Sequence, residues 1–301
     1  MRKFLLAFCL FWLLYFSIVG SIRFIWIKIA PGMLSHNFIS RDIHSVVLGA
    51  STGACAWNDA LIPHSRNYCD AGTSLASSYN KLKWITEYNR EQVDTILLCA
   101  CLISFINQND NSLDIARQES DNILEYGTYL NYFKYRPAYW INFFTSFSVL
   151  NLDVTQFRGG FKYTIRDKLD NPNLYNQING VINYAGGKDG LTTDFLRAHC
   201  KYQLDYLRRI RDYCKEHNKT LVILSTPIFK IPDMIDYSGY NKLIQEELGD
   251  SALIADYTQF EFPDSTCYGD LEHLNFRGAE YFSKHIAKNG LELKYAIDCC
   301  K

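Results

Sequence analysis

Two rhythms of apolar and polar residues run along the chain. Residues 4–22 (FLLAFCLFWLLYFSIVGSI) carry no charge at all. Beyond them, short apolar runs alternate with longer segments whose apolar residues recur at helical spacing. Residues 44–50, 67–69, 95–101, 220–225 and 252–255 read as strands, each closed by polar or turn-forming residues. Between them, residues 74–89 carry Leu75, Tyr79, Leu82 and Ile85 on one stripe. Residues 195–217 carry Leu196, Leu204, Leu207 and Ile210 on another. Residues 240–248 and 276–288 complete the helices, with Gly290 just past the last one. Strand and helix alternating at this spacing predict right-handed crossovers and an α/β fold: a three-layer α/β/α sandwich around a mostly parallel five-stranded sheet.

The rhythm fails between about residues 102 and 193. Phe105, Tyr126, Tyr129, Tyr132, Phe133, Tyr135, Tyr139, Trp140, Phe143, Phe144 and Phe147 crowd this interval, which reads as a helical, aromatic-rich insert. Its rings would pack on the sheet, or form a lid over a substrate groove. Gly186-Gly187-Lys188 is not a phosphate loop, because Asp189 stands where Ser or Thr should follow and no Gly lies five positions before Gly187.

The opening run would rise about 28 Å as a helix, against ~30 Å of bilayer hydrocarbon. A cleaved signal would need a shorter apolar run and a small-x-small site, which Ile18-Val19-Gly20 does not supply. Bulky Phe8 before Cys9 argues against a lipoprotein box. Residues 1–30 are therefore expected to form an uncleaved membrane anchor with lipid around it, and residues 31–301 the α/β domain. Arg2 and Lys3 precede the span, Arg23 and Lys28 follow it, so charge is nearly balanced. So short an N-terminal start is expected to stay inside, which would send the main domain out of the cytoplasm.

Composition narrows the function class. The chain has 301 residues, 48% apolar and 21% charged, with Lys+Arg 31 against Asp+Glu 32. A formal net charge of -1 removes the electrostatic motive for nucleic-acid binding. The 10 cysteines include no C-x-x-C pair, and neither HExxH nor His-x3-His occurs, so no metal site is expected. Cys99 and Cys101 alternate in an apolar run and read as buried strand residues.

Ligands of open α/β sheets sit at the carboxyl ends of strands. Ser51 follows the first strand at once, in Gly49-Ala50-Ser51-Thr52. A serine there ordinarily caps the next helix. It can also present its hydroxyl as a nucleophile, provided a base with a pKa near 7 stands beside it. Asp270-Leu271-Glu272-His273 lies directly beyond the last strand and before the last helix. An acid three residues before a histidine can accept its Nδ1–H and stabilise the imidazolium. Glu272 would point away from that pair. His44 and His285 read as structural or exposed, His64 and His199 have no acid at useful spacing, and Asp256 reads as a loop cap.

Three pieces together resemble the SGNH/GDSL hydrolase superfamily, in particular its membrane-anchored branch that adds or removes acyl groups on bacterial surface glycans. They are Gly49-Ala50-Ser51, residues 67–72, and Asp270-Leu-Glu-His-Leu-Asn-Phe-Arg-Gly-Ala279. The resemblance spans residues 43–288 and leaves the aromatic insert unexplained. It implies a flavodoxin-like sheet and no cofactor. It also implies Ser51 as nucleophile, His273 as general base then acid, Asp270 as orienting carboxylate, and the Ser51 and Gly72 amides as oxyanion donors. The substrate it implies is an acylated carbohydrate. The setting would be a periplasmic domain held by one pass at a bacterial inner membrane, with a membrane acyltransferase as partner.

The chain departs from the family pattern twice. Ala50 stands where an Asp is usual between Gly and Ser. The third block, normally Gly-x-Asn-Asp, is Ala100-Cys-Leu-Ile103, with no Asn before Asn107. A site of this kind would rely on backbone donors. The same departures leave open a non-catalytic domain that binds glycan or scaffolds a membrane assembly, and the anchor leaves open a cytosol-facing one.

Overall fold

The computed structural model describes residues 2–33, 39–89, 92–107, 160–161, 190–229 and 236–295. Five parallel strands form the sheet: β1 (Ser45–Gly49), β2 (Ser65–Asn67), β3 (Thr95–Cys99), β4 (Thr220–Ser225) and β5 (Leu253–Asp256). Their order is β2-β1-β3-β4-β5, and a two-residue strand β6 (Lys294–Tyr295) adds an antiparallel edge beside β5. The central strands are buried on both faces, from Val46 to Leu48, Ile96 to Leu98 and Leu221 to Leu224. That explains why they read as unbroken apolar runs rather than alternating ones.

Helices α2 (Ser51–Ala56), α3 (Leu75–Tyr88) and α4 (Leu102–Asn107) follow β1, β2 and β3. Next come α5 (Thr193–His199), α6 (Lys201–Glu216), α7 (Ser238–Leu248) and α8 (Phe276–Asn289). One core joins α3, α5, α6 and α7 to one face of the sheet through residues such as Leu82, Tyr202, Leu207 and Leu243. A second core covers the other face with α2 and α8, through Ala54, Trp57, Phe282 and Ile286. The three-layer arrangement is as expected.

Residues 195–217, expected as one helix, are two. Cys200 leaves helical geometry (φ −123°, ψ 33°) between α5 and α6. The apolar stripe runs straight through the break, because Leu196, Cys200 and Leu204 are all buried. The Thr192 side chain caps α5, and the Cys200 thiol donates to the Phe105 carbonyl at 3.5 Å.

Helix α1 (Arg2–Met33) precedes the domain. Phe4, Leu5, Phe8, Leu10, Leu13 and Leu14 are all exposed, and a ladder of rings joins Phe4, Phe8, Trp12 and Phe16. Among the described residues no helix is long and apolar enough to cross a membrane. The transmembrane helix expected over residues 4–22 thus stands in the structure as a helix with an exposed apolar surface, not as a shown span. Most of the aromatic insert expected over residues 102–193 lies outside the described residues.

Candidate active site

The chain leaves β1 through a turn that only a small residue permits. Gly49 has φ 135°, and a Cβ there would lie 2.4 Å from the Cys99 carbonyl oxygen. Ala50 then takes the N-cap position of α2 in extended conformation, with no side-chain cap. Ser51 is therefore the first helical residue, and its hydroxyl is free of capping duty. Buried Thr52 to Ala56 fasten the helix from below.

The partner of that hydroxyl arrives 222 residues later. His273 Nε2 stands 2.7 Å from Ser51 Oγ. Its Nδ1 stands 2.8 and 2.9 Å from the two carboxylate oxygens of Asp270. A carboxylate cannot donate when ionised, so Nδ1–H donates to Asp270 and Nε2 accepts the Ser51 proton. Asp270 Oδ1 also accepts the amides of Glu272 at 2.9 Å and His273 at 2.8 Å, which fixes the carboxylate. Burial alone would raise the Asp270 pKa. The His273 ring and these two amides outweigh it, and hold the carboxyl below its ordinary value. Asp270 is buried, while His273 keeps 19% of its side chain exposed, so the pair is reachable from solvent at the imidazole end.

The rest of the Asp270 to Ala279 stretch holds this pair in place. Leu274 is buried and bridges Tyr268. The Asn275 side chain caps α8 by accepting the Gly278 amide, and its amide group donates to the Thr266 carbonyl. Gly278 permits a close approach, since a Cβ there would meet the Cys267 carbonyl oxygen at 2.0 Å.

The loop after β2 approaches from the other side. Gly72 lies in the left-handed region (φ 68°). The Asp70 amide and the Thr73 hydroxyl both donate to the Gly49 carbonyl, at 3.0 and 2.9 Å. Among the described residues neither the Ser51 amide nor the Gly72 amide has an intramolecular acceptor. After β3 the carbonyl of Ala100 accepts the Tyr240 hydroxyl, and Cys101, Leu102 and Ile103 are buried apolar residues. Ser51, Asp270 and His273, expected together at one sheet edge, are in hydrogen-bond contact, whereas nothing in the sequence pattern signals that Thr73 ties Gly72 to β1.

The remaining candidates lie elsewhere. His64 Nδ1 lies 2.6 Å from the Asp42 carbonyl oxygen, His44 faces Asp94, His199 packs on Phe195, and His285 packs on Phe260. Asp256 caps its loop by accepting the Thr258 amide. Glu272 is buried. Burial foremost, then Cys101, Asp256 and Glu272, push the Tyr237 hydroxyl pKa up.

A cavity of about 630 Å³ opens beyond β4 and β5. Phe229, Phe260, Phe262 and Tyr268 supply rings; Gln259 and Glu261 supply polar edges. Phe262 and Tyr268 meet nearly edge-on, with centroids 5.1 Å apart. The Phe229 amide donates to the Leu271 carbonyl, and Tyr268 lies two residues before Asp270, so the cavity shares a wall with the Asp270–His273 loop. Position after the fourth and fifth strands was the sequence signal that could have found it. Among the described residues no cluster of His, Cys, Asp or Glu could hold a metal.

What the geometry can do is acyl transfer through a serine: a hydroxyl, a base that shares its proton, and a carboxylate behind the base. Compared with protein-family models, with curated proteins and with solved structures, the chain finds no match, so this chemistry rests on the site's own geometry.

Proposed function

We propose that the protein is a serine-dependent ester hydrolase or O-acyltransferase acting on acyl esters of a cell-surface carbohydrate. One observation carries the reading: Ser51 Oγ stands 2.7 Å from His273 Nε2 while Nδ1 of the same ring is held by Asp270. Ser51 Oγ attacks the acyl carbonyl carbon as His273 Nε2 takes its proton. Negative charge collects on the former carbonyl oxygen, toward the Ser51 and Gly72 amides. The C–O bond of the ester breaks, and the imidazolium returns its proton to the leaving sugar oxygen. An acyl group is left on Ser51. Water or a second sugar hydroxyl, deprotonated by His273, then takes that acyl group.

The carbohydrate is supported by the resemblance to SGNH/GDSL hydrolases and by the neighbouring cavity. Its rings suit the C–H face of a sugar, and Gln259 and Glu261 suit its hydroxyls. The membrane side is supported by the charge-free run of residues 4–22 and the exposed apolar surface of α1. On this reading α1 enters lipid, the main domain lies in the periplasm beside the inner membrane, and a membrane acyltransferase supplies or receives the acyl group.

A fluorophosphonate probe tests the chemistry. Labelling of the folded protein at one site, lost in Ser51→Ala, is the expected result. Folded protein that takes no label overturns it, and favours the second reading: a glycan-binding or scaffolding domain. The observation on that side is the run Ala100 to Ile103, which offers no side-chain amide to an oxyanion. Protease cleavage of the main domain in intact spheroplasts is expected, and full protection would place it on the cytosolic side.

A further inference from the structure

A lysine is buried behind the loop that presents Gly72. Lys81, on α3, is 2% exposed. Its Nζ donates to the Tyr68 carbonyl at 3.1 Å and lies 3.9 Å from the Asp70 carboxylate. Those contacts fall on the same short segment whose Asp70 amide and Thr73 hydroxyl grip the Gly49 carbonyl. The Asp70 carbonyl accepts the Thr73 hydroxyl at 3.0 Å, and the Asp70 carboxylate accepts the Ala71 amide at 2.9 Å. Residues 68–73 are thus pinned from the strand on one side and by an ammonium on the other, with Gly72 between.

Stability alone does not account for that ammonium. Taking a charge out of water costs several kcal/mol, and an apolar side chain of similar shape in place of a buried ion is often neutral or stabilising. An unbranched Met would fill the space on α3. What a Met cannot do is hold the Tyr68 carbonyl and the Asp70 carboxylate at fixed positions. A backbone N–H that is to meet a developing oxyanion does so only if its direction is fixed.

We propose that Lys81 is a positioning residue. Through Tyr68 and Asp70 it fixes the loop that aims the Gly72 amide at the developing oxyanion. The inference rests on the serine-acylation reading above.

The test compares wild type, Lys81→Met and Ser51→Ala with the same fluorophosphonate probe, following both the first-order rate at saturating probe and the fraction labelled at completion. Lys81→Met is expected to label fully but about 10- to 100-fold more slowly, with the pH midpoint of the rate unmoved. A purely structural lysine would lower the melting temperature and the fraction labelled, and leave the rate constant of the labelled fraction unchanged. That result overturns the proposal, as does an unchanged rate with full labelling. Should Lys81→Met not fold, Asp70→Asn removes the counter-charge while keeping an acceptor for the Ala71 amide. A slower rate is expected there too, and an unchanged one counts against the proposal. Wild type that takes no Ser51-dependent label refutes the parent reading instead.

Discussion

Asp270 holds one ring nitrogen with both oxygens and two backbone amides with Oδ1. Because its pKa is lowered in the folded chain, its contribution to stability is fully present above the unfolded value. It is lost as pH falls through the lower folded one. Melting temperature should therefore drop on acidification below about pH 4, and Asp270→Asn should flatten that limb. A parallel fall in both proteins would show that other carboxylates control it. The same substitution leaves the two amides an acceptor but reverses the demand on Nδ1. Serine acylation should slow by about 10⁴-fold, measured as the Ser51 labelling rate.

The readable residues were those whose position in the chain restricts their role. A serine directly after the first strand and an Asp-x-x-His directly after the last can hardly avoid meeting at the carboxyl edge of a parallel sheet. Lys81 was unreadable for the opposite reason. On a helix pattern a lysine reads as solvated, and only the tertiary approach of residues 68–70 shows it enclosed. The capping expectation for Ser51 failed by one residue, because Ala50 takes the N-cap conformation without a side-chain bond and leaves the hydroxyl for His273.

Among the elements, α2 is short and wholly dependent on its packing. Gly53 faces two thiols: a Cβ there would lie 2.5 Å from the sulfurs of both Cys69 and Cys99 and 2.9 Å from the Cys99 Cβ. The hydrogen bond with Cys69, and then burial, raise the Cys99 pKa well above its ordinary value, so it sits there as a neutral thiol. Gly53→Ala should destabilise by about 1–3 kcal/mol through overpacking and displace Ser51, seen as a lower denaturation midpoint together with slower labelling. Adding Cys99→Ala should recover part of the stability. A Gly53→Ala protein as stable as wild type would contradict the close packing described. Strand positions were legible because both faces of each central strand are buried. The break at Cys200 was not, because the apolar stripe runs through it without interruption.

For the whole molecule, the outstanding fact is the set of exposed apolar side chains on α1, among them Phe4, Leu5, Leu13 and Leu14, ahead of the α/β domain. A large exposed apolar surface normally marks contact with lipid or with a protein partner. The full chain should remain in the membrane pellet after alkaline carbonate treatment of cells that express it. Complete extraction into the supernatant would show that α1 is covered by protein contacts instead. The alternation of strands and helices made the layered sheet legible at this scale. The added edge strand β6 was not, since two residues make no pattern.

The separation of Ser51 from His273 along the chain has a consequence for biosynthesis. The first strand emerges from the ribosome ahead of the imidazole that would activate its serine, which lies 222 positions downstream. No nascent intermediate shorter than that can hold the completed dyad, and loop closure over such a distance comes late in assembly. A chain halted midway through synthesis would expose the serine without its base. Reactivity would thus switch on only after His273 has been synthesised and has folded back onto Ser51.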